Sequence, residues 1–342
     1  MGQGQAIVEN YPSFSLILET ENLETSDVQG LLQSMASLAA QDPSPALANE
    51  VLLIDSGDTP PELLAQLQSY YPWLQVKTAP PGTEYYAAKM LGAEWVTGEI
   101  VLYYDSDCIY APDWLSTMLQ PFQDPAIQIV AGETTTNGVG IYGTAMALTY
   151  IFPQYSNDRQ LTPTDQYFLN NVAFRRQVLL QLPIPTQLPL YRGNCVLHAH
   201  QLLEQGYQIW RQPKARSLHA PPNGFNHFFW RFLLIGHDLY WQKQILRDRH
   251  QTPLNPPNQP LAQTRPSDDP TISGRGKLDI FRDRVSKMIQ RDRRHAWFLP
   301  VCIPIVIVSA MLIYIGYRIT LRHPHYLRNA FYRHYAMEST II

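Results

Sequence analysis

The sequence predicts a mostly parallel α/β sheet with helices on both faces, then a C-terminal interfacial helix and a transmembrane helix. Three observations carry that prediction. From Ser13 to about residue 220, short apolar runs alternate with amphipathic helical stretches, the order that builds a parallel sheet covered on both sides. No charged residue occurs from Ala296 to Tyr317. Charge is also divided along the chain: residues 1–150 hold 18 acidic and two basic residues, a net −16, whereas residues 151–342 hold 11 acidic and 24 basic, a net +13.

These totals bound the function. With 342 residues, 45 % of them apolar and 16 % charged, the chain is long enough for one large domain or two smaller ones. The acidic first half argues against nucleic acid as a partner, and the basic second half suits an anionic phospholipid surface. Cys108, Cys195 and Cys302 are odd in number and widely spaced, with no C-x-x-C pair. That pattern is neither a disulfide framework nor a zinc site, and it fits a reducing compartment. The start, MGQGQAIVENYPSFSLIL, has no basic n-region, so the first half is expected in the cytoplasm.

The elements follow in order. SFSLIL from Ser13 reads as a strand, and Ser26 with Gln29 as a capping box for a helix whose apolar positions are Val28, Leu31, Leu32, Met35, Leu38 and Ala39. EVLLID is a second strand, and Thr59, Pro60 and Pro61 open a helix over 59–70. LQVKT is a strand, Tyr85 to Trp95 a helix, and EIVLYYD a strand; a helix from Pro112 to Phe122 and a strand IQIVAG come next. A helix near Cys195 to Gln205, a strand YQIWRQ and an aromatic-rich helix over 227–246 follow. Residues 251–276 contain six prolines and read as an irregular linker.

Beyond the linker, Leu278, Phe281, Val285, Met288 and Ile289 share one face of a helix over 277–295 whose other face is mostly basic. Such a helix lies in a membrane interface or docks on the preceding domain. The uncharged stretch 296–317 would run about 33 Å as a helix, matching the hydrocarbon core. Trp297, Tyr314 and Tyr317 sit near its ends, as in an aromatic belt. A buried core helix is the plain alternative, and Pro300 and Pro304 leave a kinked or re-entrant helix open. The arginines and lysine upstream of the span place its N-terminal side in the cytoplasm, with 318–342 as a basic tail.

Asp105-Ser106-Asp107 is the one D-x-D in the chain. It closes an apolar strand, so its carboxylates are expected to project to one side. Magnesium or manganese is typically held by one or two carboxylates plus substrate phosphates. A solvated turn with Asp105 capping the next helix is the plain alternative.

With its surroundings, this motif resembles the family 2 glycosyltransferases. The resemblance covers about residues 13–220. It runs through LLIDSG, GTEYYAAKMLGAEWVTGEI, LYYDSDCIYAPDWL, NNVAFRRQVL and GNCVLHAHQLLEQGYQIWRQPKARSLH. It implies a GT-A (Rossmann-like) domain over residues 1–250, with a nucleotide-sugar half at about 13–135 and an acceptor half at about 136–250. It implies inverting, metal-dependent transfer from a UDP-, GDP- or dTDP-sugar to a lipid or glycan acceptor near the membrane. Thr20, Glu21, Asp55, Lys89 and Asp105 match the nucleotide-contacting positions, with Asn22 keeping the end of the first loop and Lys89 in place of the usual arginine. Asp105, Asp107 and His219 match the metal site, and Trp114 the tryptophan that follows the D-x-D.

One departure is chemical. Where the family has Glu-Asp before a helix, this chain has Asn194-Cys195, and an amide cannot accept a proton near neutral pH. Three readings follow: a base from elsewhere, with Asp165 or His198 as candidates; an acidic acceptor such as a phosphate that needs none; or a degenerate transferase-like protein that binds without turnover. Nucleotidyl transfer is disfavoured, because SFSLILETEN lacks the glycine-rich loop that cradles phosphates.

Overall fold

The computed structural model describes residues 11–20, 28–57, 59–136, 138–251 and 277–338. Glu21, Asn22, the Ser26 cap and all but the first residue of the linker lie outside them, as do residues 339–342 of the tail.

Four parallel strands come first in the sheet: β1 (Phe14–Glu19), β2 (Glu50–Asp55), β3 (Leu74–Thr78) and β4 (Ile100–Tyr104), laid side by side as β3-β2-β1-β4. β1, β2 and β4 are mostly apolar and buried, which suits strands covered on both faces, whereas β3 at the sheet edge is largely uncovered. Helices α1 (Val28–Ala39), α2 (Pro61–Tyr70) and α3 (Tyr85–Trp95) connect them. The second half adds β5 (Cys108–Tyr110), α4 (Trp114–Leu119), β6 (Ile129–Thr136), α5 (Gly140–Thr149), β7 (Thr162–Thr164), β8 (Asn171–Arg175), α6 (Arg176–Gln181), α7 (Asn194–Glu204) and β9 (Ile209–His219). The order continues β4-β8-β6-β9-β5, with β7 on β9. β8 runs antiparallel to both β4 and β6, while β6 and β9 are parallel. The sheet is therefore mixed, and β9 runs well past the expected YQIWRQ to His219.

Two apolar layers sandwich the sheet. Ile17, Leu52, Val101 and Phe174 face α3 and α7, and Leu16, Leu53, Leu102 and Ala173 face α1 and α4. A third cluster joins α5 to the C-terminal helices α8 (Gly224–Gln251), α9 (Lys277–Arg291), α10 (His295–Arg322) and α11 (Tyr326–Glu338). α9 docks on the protein through Val285, Met288 and Ile289. α10 is longer than the expected 296–317 and, by length and composition, can cross a membrane. Within the expected basic tail, α11 forms and is pinned to the domain through Leu327 and Phe331.

Candidate active site

Strand β4 ends at Tyr104, one residue before the D-x-D, and β5 begins at Cys108. The motif is thus a turn, and the strand period that would aim both carboxylates one way does not apply to it. Asp105 turns inward. Its Oδ1 lies 2.6 Å from Lys89 Nζ, and the Tyr85 hydroxyl donates to its Oδ2 at 2.9 Å. Lys89 is fully buried and also donates to the Tyr104 carbonyl at 2.6 Å. α1 fixes the turn from below, Ser34 Oγ donating to the Asp105 carbonyl at 3.0 Å. The Tyr110 hydroxyl accepts from the Asp105 N–H and donates to the Asn170 carbonyl.

Asp107 turns the other way, toward the end of β9. Its Oδ2 is 3.0 Å from His219 Nε2, and it keeps 23 % of its side-chain surface exposed. The pairing of Cys108 with His219 across β5 and β9 brings the two together, and the Ala220 N–H donates to the Asp107 carbonyl at 2.8 Å. His219 Nδ1 donates to the Ala220 carbonyl, which aims Nε2 at the carboxylate. Burial alone would lower the histidine pKa, but Asp107 outweighs it and raises the value. Among the described residues, Asp107, Cys108 and His219 are the one His/Cys/Asp/Glu group whose ligand atoms lie within 4.8 Å of one another. Burial, with Asp107 and Asp105 beside it, pushes the Cys108 thiol well up. Sulfur is a soft donor, so the donors suited to a hard cation are one carboxylate and one imidazole. Asp105, expected at the metal, lies outside this group because Lys89 and Tyr85 hold its oxygens.

Of the positions expected to contact nucleotide, Thr20, Asp55 and Asp105 sit at the carboxyl ends of β1, β2 and β4, and Lys89 reaches Asp105 from α3. Thr20 Oγ1 donates to Asp55 Oδ1 at 3.3 Å and accepts from the Ser56 N–H at 3.0 Å. Trp114 is a core residue, its indole N–H donating to Asn171 Oδ1 at 2.8 Å.

Neither base candidate is at the site. His198 is fully buried, with Nδ1 2.6 Å from the Tyr167 hydroxyl and Nε2 2.7 Å from the Leu182 carbonyl, and burial pulls its pKa down to about 4. Both nitrogens are spent on core bonds. Asp165 is exposed just beyond β7, where Thr164 pairs with Ile209; that is the far end of β9 from His219. Cys195 is buried and its thiol is pushed up to about 11 by burial, while Asn194 donates to the Pro185 carbonyl.

Side chains that sequence reasoning passed over complete the site. The Arg192 guanidinium lies 4.5 Å from the Tyr85 ring centre, and Arg231 donates from Nε to the Tyr150 hydroxyl at 3.0 Å. The Tyr150 ring is in turn 5.9 Å from that of His219. Asp238 accepts from the backbone N–H groups of Tyr191 and Arg192. Only α8, an aromatic helix remote in sequence, brings Arg231 and Asp238 here.

Residues 26–182 match the model of glycosyl transferase family 2. The matched segment spans α1 to α6 and so includes the D-x-D turn and Lys89. The fold is that of GT-A glycosyltransferases. A structure of GalNAc-T7 with UDP, GalNAc and Mn2+ superposes with a TM-score of 0.51 at 13 % identity, over 71 % of this chain and 55 % of that one. This chain therefore spans about half the length of that relative. The mannosyltransferase PcManGT from Pyrobaculum calidifontis, in complex with GDP-Man and Mn2+, superposes with a TM-score of 0.53 at 16 % identity, over 97 % of this chain and 87 % of that one.

Proposed function

We propose that this protein transfers a sugar from a nucleoside diphosphate donor to a lipid-linked acceptor at the cytoplasmic face of a membrane, with inversion at the anomeric carbon. The observation that carries the reading is the pairing of Asp107 with His219 two residues along from the Lys89–Asp105 ion pair. Asp107 and His219 would hold Mn2+ or Mg2+ together with donor phosphate oxygens, and Asp55, Thr20 and Lys89-anchored Asp105 would receive the nucleoside. A bound cation neutralises the diphosphate and makes it a better leaving group. The relatives solved with UDP or GDP-Man and Mn2+ are in keeping with this donor chemistry.

The acceptor is inferred from two features. A cavity of about 480 Å³ is lined by Tyr142, Phe225, Phe228, Pro304, Ile305 and Val308, an apolar space suited to a lipid chain. Ring contacts lead from it through Phe228, Phe232 and Tyr150 to His219. Arg231 stands beside that path on the Tyr150 hydroxyl, with Arg192 across the Tyr191 ring from it, and both suit an anionic group. An acceptor phosphate there is already ionised at neutral pH. Its oxygen would attack the anomeric carbon, the carbon–oxygen bond to the diphosphate would break, and no proton need be removed. This accounts for Asn194-Cys195 in place of carboxylates.

The full-length protein in detergent, mixed with UDP- and GDP-sugars, Mn2+ and either a polyprenyl phosphate or a polyprenol, tests the reading. Mn2+-dependent transfer to the phosphate is expected. Donor binding without transfer to either lipid would favour a binding protein, and no thermal shift with any nucleotide-sugar would sink the proposal.

A further inference from the structure

We infer that α10 does not cross the bilayer but lies lengthwise in its plane, one face sealed to the transferase domain and the other in acidic phospholipid. This rests on the chain being membrane-bound and not on its transferase chemistry. α10 has 28 residues and a mean hydropathy of 2.6 in its most apolar window, of which only 11 % is buried. Its exposed side is apolar from Ala296 to Ile315, with Trp297, Ile303, Ile307, Met311 and Tyr314 half or more exposed.

The opposite side is held to the domain from end to end. At the start, His295 Nδ1 lies 2.8 Å from Thr144 Oγ1 of α5. In the middle, α8 and α10 touch backbone to backbone: a Cβ on Gly236 would meet the Ile313 carbonyl at 2.0 Å, and one on Gly316 would meet the Leu233 carbonyl at 2.0 Å. Near the end, Thr320 Oγ1 is 3.1 Å from His237 Nδ1. From Phe225 and Phe228 beside Pro304 and Ile305, through Tyr240 on Tyr317, to the Trp241 indole on the Pro324 carbonyl, the partners advance together along both segments, so α8 and α10 run side by side in the same direction.

The flanks decide the orientation. Before α10, Arg284 of α9 donates to the carbonyls of Tyr150 and Phe152. After it, Arg328 of α11 pairs with Glu84 at 2.5 Å and donates to the Leu188 carbonyl at 3.1 Å. A spanning helix sets its flanks on opposite sides of about 30 Å of hydrocarbon. Here both flanks grip one domain. A crossing α10 would also carry α8, with Arg231 and Asp238, to membrane depth, where ionisable groups are costly. Lying flat removes both conflicts. Arg282, Arg291, Arg293 and Arg294 before the apolar face, and Arg318 and Arg322 after it, are exposed. Basic residues on both flanks are drawn to an anionic leaflet.

The test uses the full chain, tagged at both ends, in sealed membranes and in vesicles containing phosphatidylglycerol. Both tags are expected on the same side. Environment-sensitive labels placed by cysteine substitution at Ile303, Ile307, Tyr314 and Leu321, which span about 27 Å of helix, are expected at one shallow depth by brominated-lipid quenching. Tags on opposite sides, or a depth that passes through the bilayer centre, would overturn the inference. So would a chain that fails to float with vesicles and forms a dimer shielding those labels, since the apolar face would then be a protein interface.

Discussion

Lys89 Nζ and Asp105 Oδ1 form a 2.6 Å ion pair between α3 and the end of β4, with the lysine side chain wholly buried and 7 % of the aspartate's exposed. Such a pair is weak evidence of net stabilisation, but removing one partner strands a buried charge and costs about 3–5 kcal/mol. Lys89→Met is therefore expected to lower the unfolding midpoint markedly. Lys89→Met with Asp105→Asn should recover much of that loss while donor binding stays absent. Calorimetric unfolding of the three variants checks this, and a double variant no more stable than the single one would refute it.

Asp107→Ala is expected to abolish Mn2+-dependent donor binding with the fold intact, and His219→Ala to weaken it about tenfold or more. Cys108→Ser should leave Mn2+ binding nearly unchanged, because a soft sulfur donor suits a hard cation poorly. Titration calorimetry with Mn2+ and a nucleotide-sugar separates the three. A Cys108→Ser loss as large as that of His219→Ala would mean that sulfur is a ligand.

Cys195→Ser is expected to keep most transferase activity, since a thiol pushed up to about 11 by burial cannot serve as a base at neutral pH; losing a true general base costs about 10²–10⁴ in rate. Cys195→Asp, attractive from sequence as a restored carboxylate, should instead destabilise the protein. It places a charge in the apolar layer of Tyr86, Ala199 and Leu202, and burying a charge without an opposite one beside it is costly. A stable and faster Cys195→Asp protein would show that this position opens onto the reacting groups.

Asp238 has its pKa raised to about 7, chiefly by burial and against the pull of its backbone hydrogen bonds to Tyr191 and Arg192. Its folded value lies above the unfolded one, so its contribution to stability is complete below about pH 4 and is lost as pH rises through about 7. The wild-type unfolding midpoint should carry a downward term over that window, and Asp238→Asn should flatten it. Identical pH profiles would count against the assignment.

The strands were legible because their apolar runs are short and end in turn residues. EVLLID and LQVKT coincide with β2 and β3, and Tyr85 to Trp95 with α3. YQIWRQ was cut short because the polar second half of β9 carries no apolar period, its backbone being held by β6 and β5. The D-x-D was visible as residue types, but its division of labour was not. Which carboxylate meets Lys89 and which meets His219 depends on β4 stopping at Tyr104.

By itself the sequence determined the α/β class, the family 2 resemblance and the presence of a long apolar helix, because these follow from local periodicity and ordered motifs. Tertiary structure decided what local pattern cannot encode. Arg231 and Asp238 join the site from a helix far along the chain, and His198 is spent on a core hydrogen-bond network. The uncharged stretch that reads as a crossing helix has Gly236 and Gly316 at its contact with α8 and both flanks on one domain. Hydropathy counts residues without regard to azimuth. Only packing shows which side of a helix is already covered.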